Sequence, residues 1–514
     1  MILMNHQFIL SIDEGTTGVQ ASFFDSCTFK MYGNNKVEFP QIYPRAGLVE
    51  QNPLDIWHAT LEAIRLAIEK TQLENSQFKV SKIACIGITN QRETCLAWNK
   101  VTGELAGNAL VWQDRRTADF CNSLKQNETT RKNILNSTGL VCDPYFSASK
   151  MRWMLEHYPK TKPWLQKNEL ALGTVDSYVV WKLTSGSSFV TEHTNASRTM
   201  LYNIVKGEYD EELSKLFNVP LSTLPQINTS SGHFGVTKNT PHLPDGIPIT
   251  GILGDQQAAL FGQNCTHNGE AKITFGTGAF LLMNVGENIP ISQTGLLTTV
   301  AHSFGEKRYF ALEGAAFIAG AAVQFLRDNL GWVKNSAESA NLAMGYPRDD
   351  DLFFVPSLAG LGAPYWNPNA KGVLFGLTRG TQKAQIIRAV LESIAFQNVQ
   401  LLNLMEQACA QKIVKVGVDG GASRNDYLMQ FQSDVLQVEL VRPKNTETTS
   451  LGAAKAAWLG CGGTFQSVES EDEEQQAKIF TPQMPAAVAS ANLYRWVRVV
   501  ECVNGFYRAS KEFV

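Results

Sequence analysis

Short apolar runs along this chain end in a polar turn and then resume, as strands do when they double back. Phe8–Ile12 runs into Asp13, Gly15-Thr16-Thr17-Gly18 follows, and apolar positions return at Val19–Phe24. That pattern predicts a strand, a tight turn and a returning strand. It recurs at Ile273–Phe275, Gly276-Thr277-Gly278 and Ala279–Asn284. Gly15 and Gly276 stand 261 positions apart and half the chain is 257, so the repeat suggests two similar halves. A third unit reads Val414, Val416, Val418 and then Asp419-Gly420-Gly421, with Asn425 or Asp426 placed to cap a helix through Tyr427–Leu436. Helical periodicity appears at Ile56–Glu69, Ala384–Leu402 and Leu451–Leu459, and its alternation with strands indicates an α/β architecture. Leu216–Lys238 is rich in Pro, Ser, Thr and Asn and reads as a loop, with a domain boundary expected near residues 255–265. The acidic run Glu469–Glu474 reads as a solvated surface segment.

Length and composition narrow the class. At roughly 150 residues per domain, 514 residues allow about three domains, or two large α/β domains with insertions. The 45 basic and 48 acidic residues give a net charge of −3, without the electrostatic footprint a nucleic-acid binder needs. A 44% hydrophobic and 18% charged content is that of a chain able to bury a core. Nine scattered cysteines with no CxxC, and eight histidines with no HExxH, fit neither a zinc site nor a disulfide framework. Met1–Gln7 has no basic n-region and Phe8–Ile12 is too short for a signal core, so a cytoplasmic protein is expected. No membrane span is expected either, since the apolar window Leu352–Ala370 is broken by Pro356, Pro364 and Pro368.

The candidate chemistry is phosphate chemistry without a P-loop, because no G-x-x-x-x-G-K-[ST] occurs and neither HRD nor DFG does. Glycine lets the backbone approach a ligand closely, and successive N–H groups in such turns can converge on a phosphate oxygen. Threonine hydroxyls add uncharged donors, and Asp13 at the strand end could hold Mg²⁺ through water. One such turn is most simply an ordinary hairpin; three, two of them with an aspartate at the strand end, point to a nucleotide. Asn90-Gln91-Arg92-Glu93-Thr94 follows the apolar run Ile83–Ile88, at the strand end where α/β folds bind ligands. Arg92 donates in a planar fork and Glu93 accepts at two oxygens, so the pair could read adjacent hydroxyls of a polyol or form a local salt bridge. Trp112 and Tyr145 could wall the carbon face of that ligand or belong to the core. Gly254-Asp255-Gln256-Gln257 offers Asp255 as a general base for an alcohol, as a helix N-cap, or as both. Arg115 and Arg116 are read as surface arginines rather than phosphate ligands.

These segments, with Asp143-Pro144-Tyr145-Phe146-Ser147, Thr194–Thr199, Gly254–Gly262, Gly360–Trp366 and Val418–Ala422, resemble the FGGY family of carbohydrate kinases, and within it the members that phosphorylate glycerol. Tyr145–His157, with Lys150 and Trp153, and Gly372–Glu392 resemble general patterns of that family. The resemblance implies two actin-like (ribonuclease-H-like) domains flanking a catalytic cleft, residues 1–262 binding glycerol and 263–514 mainly the nucleotide. It implies Arg92, Glu93, Trp112, Tyr145, Asp255, Gln256 and Phe280 at glycerol. It implies Thr16, Thr17, Gly276, Thr277, Gly320, Gln324, Gly421 and Asn425 at ATP, with Asp13 and Asp255 near Mg²⁺. The implied reaction is ATP + glycerol → ADP + sn-glycerol 3-phosphate, with Asp255 as base, in a cytoplasmic homodimer or homotetramer. A kinase of another polyol or ketose, and a weakly active or non-catalytic ATP-binding homologue, are the alternatives.

The first turn departs from the family pattern, which usually has Gln where Glu14 stands and an arginine where Gln20 stands. The expected effect is one cation fewer and one negative charge more near the transferred phosphate. Val236–Ile247 lacks the glycine-rich, arginine-bearing loop that binds fructose 1,6-bisphosphate in some bacterial members, so inhibition by that sugar is not expected.

Overall fold

The computed structural model describes residues 7–509, apart from 292–293, 349–350, 366 and 465–476. Trp366 and the Glu469–Glu474 run therefore lie outside the described residues. The first half builds on β1 (Phe8–Glu14), β2 (Gly18–Asp25), β3 (Met31–Glu38), helix α1 (Pro53–Glu74), β4 (Ile83–Asn90), β5 (Ser231–Val236), β6 (Pro248–Gly254) and helix α2 (Asp255–Gly262). The second half builds on β7 (Glu270–Phe275), β8 (Ala279–Gly286), β9 (Leu297–Phe304), β10 (Lys307–Ala316), α3 (Lys383–Cys409), β11 (Lys415–Asp419), α4 (Asp426–Leu436), β12 (Leu440–Arg442), α5 (Thr448–Gly460) and β13 (Lys478–Phe480). Among the described residues the thirteen strands form one sheet, ordered β13-β12-β11-β7-β8-β10-β9-β5-β6-β4-β1-β2-β3.

The two halves repeat one topology. In the first, β3-β2-β1 are antiparallel neighbours and β4 and β6 extend the sheet in parallel from β1. In the second, β10-β8-β7 are antiparallel neighbours and β11 and β12 extend it in parallel from β7. The predicted strand–turn–strand units fall at equivalent places, between β1 and β2 and between β7 and β8. Among the described residues the strand join between the halves is the pairing of Ser231 with Phe304.

Each half buries one sheet face in its own core. Leu10 and Ile12 pack with Ile64 and Ala67 of α1, and Ile273, Leu281 and Val418 pack with Ile387, Val390 and Ile394 of α3. The opposite faces carry the helices that follow the last parallel strands, and these helices are exchanged. α2, which leaves the first half, sets Leu260 against Leu282 and Ala311 of the second half's sheet. α5, which leaves the second half, sets Leu451, Ala454 and Ala457 against Ile9 and Cys85 of the first.

The predicted helices all lie within observed ones, and Asn425 caps α4 by accepting from the Leu428 N–H at 3.0 Å. Leu216–Lys238 is corrected. It contains β5, which reads Ser-Gly-His-Phe-Gly-Val and buries only Phe234 deeply, so its pairing with β6 leaves no apolar alternation to detect. All nine cysteines are free thiols. Among the described residues no helix is long and apolar enough to cross a membrane.

Candidate active site

Arg92 and Glu93 follow the end of β4, and Asp255 opens α2 immediately after the neighbouring parallel strand β6. Side-by-side strand ends thus bring together residues 163 positions apart in sequence. Arg92 Nε lies 3.1 Å from Asp255 Oδ1, and the Asp255 side chain is 32% exposed while that of Arg92 is 2% exposed. The arginine stem runs across Gly254, where an added Cβ would come within 2.8 Å of Arg92 Cγ and Cδ. Asp255 is not the N-cap of α2. Gly254 holds that position, and Asp255 Oδ1 accepts from the neighbouring Gln256 N–H at 2.7 Å as well as facing Arg92 Nε.

Behind Arg92 lies a buried chain of ion pairs. Arg92 Nη1 and Nη2 donate to the two oxygens of Glu313 on β10 at 2.5 and 3.0 Å. Arg198 Nη2 donates to Glu313 Oε1 at 3.0 Å, and its Nε to Glu93 Oε1 at 2.6 Å. Burial opposes ionisation of Glu313, but Arg198 and Arg92 outweigh it and hold the carboxyl down to about 2. Removing one member of such a buried set costs about 3–5 kcal/mol, because a charge is left uncompensated. Glu93 takes a left-handed φ of 61°, a backbone strain of order 1–3 kcal/mol that clusters at functional sites.

The aromatic residues gather beside this network. Trp112 and Tyr145 meet edge to face with ring centroids 5.6 Å apart, and the Arg198 guanidinium lies 5.6 Å from the Tyr145 ring. Lys150, fully buried, donates to the carbonyls of Pro144, Tyr145 and Phe146 and fixes the loop that carries the tyrosine. Trp112 Nε1 donates to Thr16 Oγ1 at 3.0 Å, which links the aromatic wall to the first Gly/Thr turn. Phe280 on β8 pairs with Ala315, and Leu282 pairs with Glu313. The two-residue period of a strand therefore puts Phe280 and Glu313 on one sheet face. Arg115 and Arg116 are tied to carboxylates, the first to Asp143 at 2.7 Å and the second to Glu50 and Asp114 at 2.6 and 2.8 Å.

The second and third turns also come together. Gly276 O accepts from Gly320 N at 2.9 Å, and Thr277 O from Ala319 N and Ala321 N at 2.9 and 3.0 Å, which sets the short helix Gly320–Gln324 against the β7–β8 turn. A Cβ at Gly420 would fall 2.5 Å from Phe275 O, so the turn after β11 lies against the same strand end. Gly276, Thr277, Gln324 and Gly421 are exposed, and no atom lies within 4 Å of a Cβ built on Gly421. Asn425 is buried as the α4 cap, with its amide 3.4 Å from Ser339 Oγ.

Acidic groups converge where the first turn meets Asp255. Burial, then Asp255 and Glu447, push the Asp13 carboxyl up to about 7 against the pull of Lys36. Lys272 on β7, bonded to Gln256 and to Thr274 Oγ1, is pushed down to about 8 by burial, against the pull of Asp419 and Asp255. Converging carboxylates with shared repulsion suit a hard divalent cation, and Mg²⁺ is usually held by one or two carboxylates plus substrate phosphates rather than by a protein cage. Among the described residues no group of three or more metal-ligating side chains occurs.

The expectation for Glu14 is corrected. Glu14 is fully buried on the α1 face of the sheet, and burial pushes its carboxyl up to about 8, so it is mostly uncharged at pH 7. Gln20 has a lysine opposite it on the next strand. Lys36 stands opposite Gln20 in the β2–β3 ladder, with Nζ 3.4 Å from Thr17 Oγ1, while Gln20 Nε2 donates to Glu447 Oε2 at 2.8 Å. Sequence reasoning missed Glu313, Arg198 as its partner, Lys272 and Lys36. The signal for Glu313 was a lone carboxylate inside the apolar run Phe310–Ala316.

A repeated five-strand order and exchanged helices, with Asp255 and the glycine turns at the strand ends, define a two-domain, ribonuclease-H-like phosphotransferase architecture. The chain belongs to the FGGY family of carbohydrate kinases: residues 8–262 match the family's N-terminal domain and residues 271–461 its C-terminal domain. Among its relatives, a glycerol kinase of Bdellovibrio bacteriovorus is 47% identical over 501 residues, covering 96% of this chain and 99% of the relative. One from Paraburkholderia xenovorans is 45% identical over 503 residues, covering 98% and 99%. The crystal structure of Plasmodium falciparum glycerol kinase with ADP superposes with a TM-score of 0.90 at 32% identity, covering 97% of this chain and 98% of that one. A gluconate kinase from Lactobacillus acidophilus, at 23% identity and TM-score 0.85, shares the fold.

Proposed function

We propose that this chain transfers the γ-phosphoryl group of ATP to glycerol, giving ADP and sn-glycerol 3-phosphate. The observation that carries the reading is the partly exposed Asp255 carboxylate, 3.1 Å from the fork of a buried Arg92, in a chain similar over nearly its whole length to glycerol kinases. Glycerol has three hydroxyls on a small apolar frame. Arg92, Glu93 and Gln256 bond hydroxyls, while Trp112, Tyr145 and Phe280 cover carbon and exclude water. Such a site rejects analogues that lack a hydroxyl, because its own polar groups would be left unpaired. Asp255 accepts the proton of the attacking hydroxyl, an effect worth about 10²–10⁴-fold.

Residues 1–262 supply most of the glycerol contacts and 263–514 most of the nucleotide contacts, through the turns at Gly276-Thr277 and Gly421, with Gly320, Gln324 and Asn425 beside them. Thr16 and Thr17 present hydroxyls and backbone N–H groups to the terminal phosphate, and Lys36 lends positive charge there. Asp13 and Asp255 would hold Mg²⁺, which when bound offsets the charge on the phosphate oxygens as the loose transition state forms.

ADP release measured across glycerol, dihydroxyacetone, erythritol and xylulose, with and without Mg²⁺, tests the reading. Glycerol is expected to be preferred and turnover to require Mg²⁺; preference for a sugar overturns the substrate. Asp255→Asn is expected to lose at least about 100-fold in kcat while still binding ADP. Parental turnover in that variant removes Asp255 as the base.

A further inference from the structure

The reaction just described gives Glu313 no task, yet this carboxylate is 2% exposed and receives three hydrogen bonds from two arginines. We propose that Glu313 is the positioning residue of the polyol site, a contact from the second half that sets the Arg92 fork and, through Arg198, Glu93 and the Tyr145 wall. This inference rests on the proposed reaction and adds to it the residue that fixes polyol selectivity.

A guanidinium has five N–H donors in one plane. In Arg92, Nε faces Asp255, Nη1 faces Glu313 Oε2 and Gln257 Oε1, and one N–H of Nη2 faces Glu313 Oε1. The bidentate grip of Glu313 thus fixes the plane of the fork and leaves one Nη2 donor with no protein partner among the described residues. That donor is the one available to a substrate hydroxyl. Glu313 Oε1 is shared with Arg198 Nη2, and Arg198 Nε holds Glu93 Oε1 at 2.6 Å. The Arg198 guanidinium also lies 5.6 and 5.2 Å from the rings of Tyr145 and Phe146.

Glu313 belongs to β10 of the second half, whereas Arg92, Glu93, Tyr145 and Arg198 all belong to the first. Their donors and acceptors are therefore aligned for a polyol only while the two halves are together. Without Glu313, Asp255 is the carboxylate left within ion-pair distance of Arg92 among the described residues, with the Glu93 charge also acting on it. The fork then turns toward Asp255, and the hydroxyl loses its donor while the nucleotide turns are untouched.

The test is steady-state kinetics of the full chain carrying Glu313→Gln or Glu313→Asp, with glycerol and ATP varied separately. For Glu313→Gln the KM for glycerol is expected to rise about tenfold or more, the loss of one charge-assisted hydrogen bond, with the KM for ATP within about twofold of the parent. Glu313→Asp, which keeps the charge but withdraws it by one methylene, is expected to fall between the two. A purely structural carboxylate would instead lower the active fraction, reducing kcat with both KM values unchanged. That result overturns the proposal, as does a parallel rise of both KM values. Should Glu313→Gln fail to fold, Glu313→Asp decides alone: a glycerol KM raised about threefold or more with an unchanged ATP KM supports the role, and a parental glycerol KM ends it. Parent enzyme run alongside separates the two claims. If it prefers another polyol, the glycerol reading falls and Glu313 is judged on the KM of that polyol; if it phosphorylates none, both fall.

Discussion

Asp13 and Glu14 are consecutive, and the two-residue period of β1 sends them to opposite faces, one to the cleft and one to α1. Thr60 Oγ1 on α1 lies 2.8 Å from both Glu14 Oε1 and Ile56 O, but a hydroxyl has a single proton to give. Donation from Thr60 to Glu14 favours the ionised carboxyl, but burial outweighs it. The carboxyl is raised from 4.5 to about 8, so the folded state binds a proton that the unfolded chain releases. Its contribution to stability is full below pH 4.5 and is lost as pH rises through 8. Glu14→Gln supplies an amide donor that does not titrate. Its melting temperature should match the parent near pH 4.5 and exceed it increasingly toward pH 8, by about 2–4 °C for each 1 kcal/mol gained. Thermal melts across that range check it, and a gain independent of pH would mean that Glu14 is ionised throughout.

At the scale of elements, the exchanged helices α2 and α5 cross in backbone contact. A Cβ on Gly452 would fall 1.9 Å from Ala258 O, and one on Gly262 1.9 Å from Thr448 O, so each helix needs a glycine where the other passes. α5 is further tied to the first half through Ser11 Oγ to Ser450 O at 2.8 Å and Thr250 Oγ1 to Ala457 O at 2.7 Å. Gly452→Ala forces the helices apart against a backbone carbonyl. An overpacking cost at the upper end of about 1–3 kcal/mol is expected, with a fall in kcat because Asp255 opens the displaced helix. Melting and turnover of that variant check the contact; parental values for both would show that the crossing yields freely. Periodicity reveals that these helices exist but not that they cross, since Gly452 and Gly262 look like ordinary helix glycines in sequence.

At the scale of the whole molecule, the halves meet at the Ser231–Phe304 strand pairing, the crossing of α2 and α5, the ion pairs of Glu313, and further polar contacts such as Gln257 to Thr299 and Arg308 to the Ile204 and Val205 carbonyls. Kinases close a cleft on their substrates to exclude water. Small-angle scattering should show a smaller radius of gyration with glycerol and Mg²⁺-ADP together than in the free protein. An unchanged radius would mean that the halves do not move. The strand–turn units, the main helices and the Arg92, Glu93 and Asp255 segments were legible because each is local: a run, a periodicity or a short motif. β5 was not, because its partners and not its pattern make it a strand. Glu313 was not, because an isolated acid in an apolar strand gains a meaning only when Arg92 and Arg198 arrive from 221 and 115 positions away.

The sequence by itself determined the α/β alternation, the duplicated turn and the polar residues beyond the strand ends, since backbone propensity and hydrophobic period act over a few residues. Only the tertiary structure decided which charges survive burial and where they are aimed. It buried Glu14 and so raised its carboxyl, set Lys36 opposite Gln20, and joined Asp255, Arg92 and Glu313 across the two halves. Charge energies depend on separation and solvent exclusion, and neither distance exists until the chain has folded.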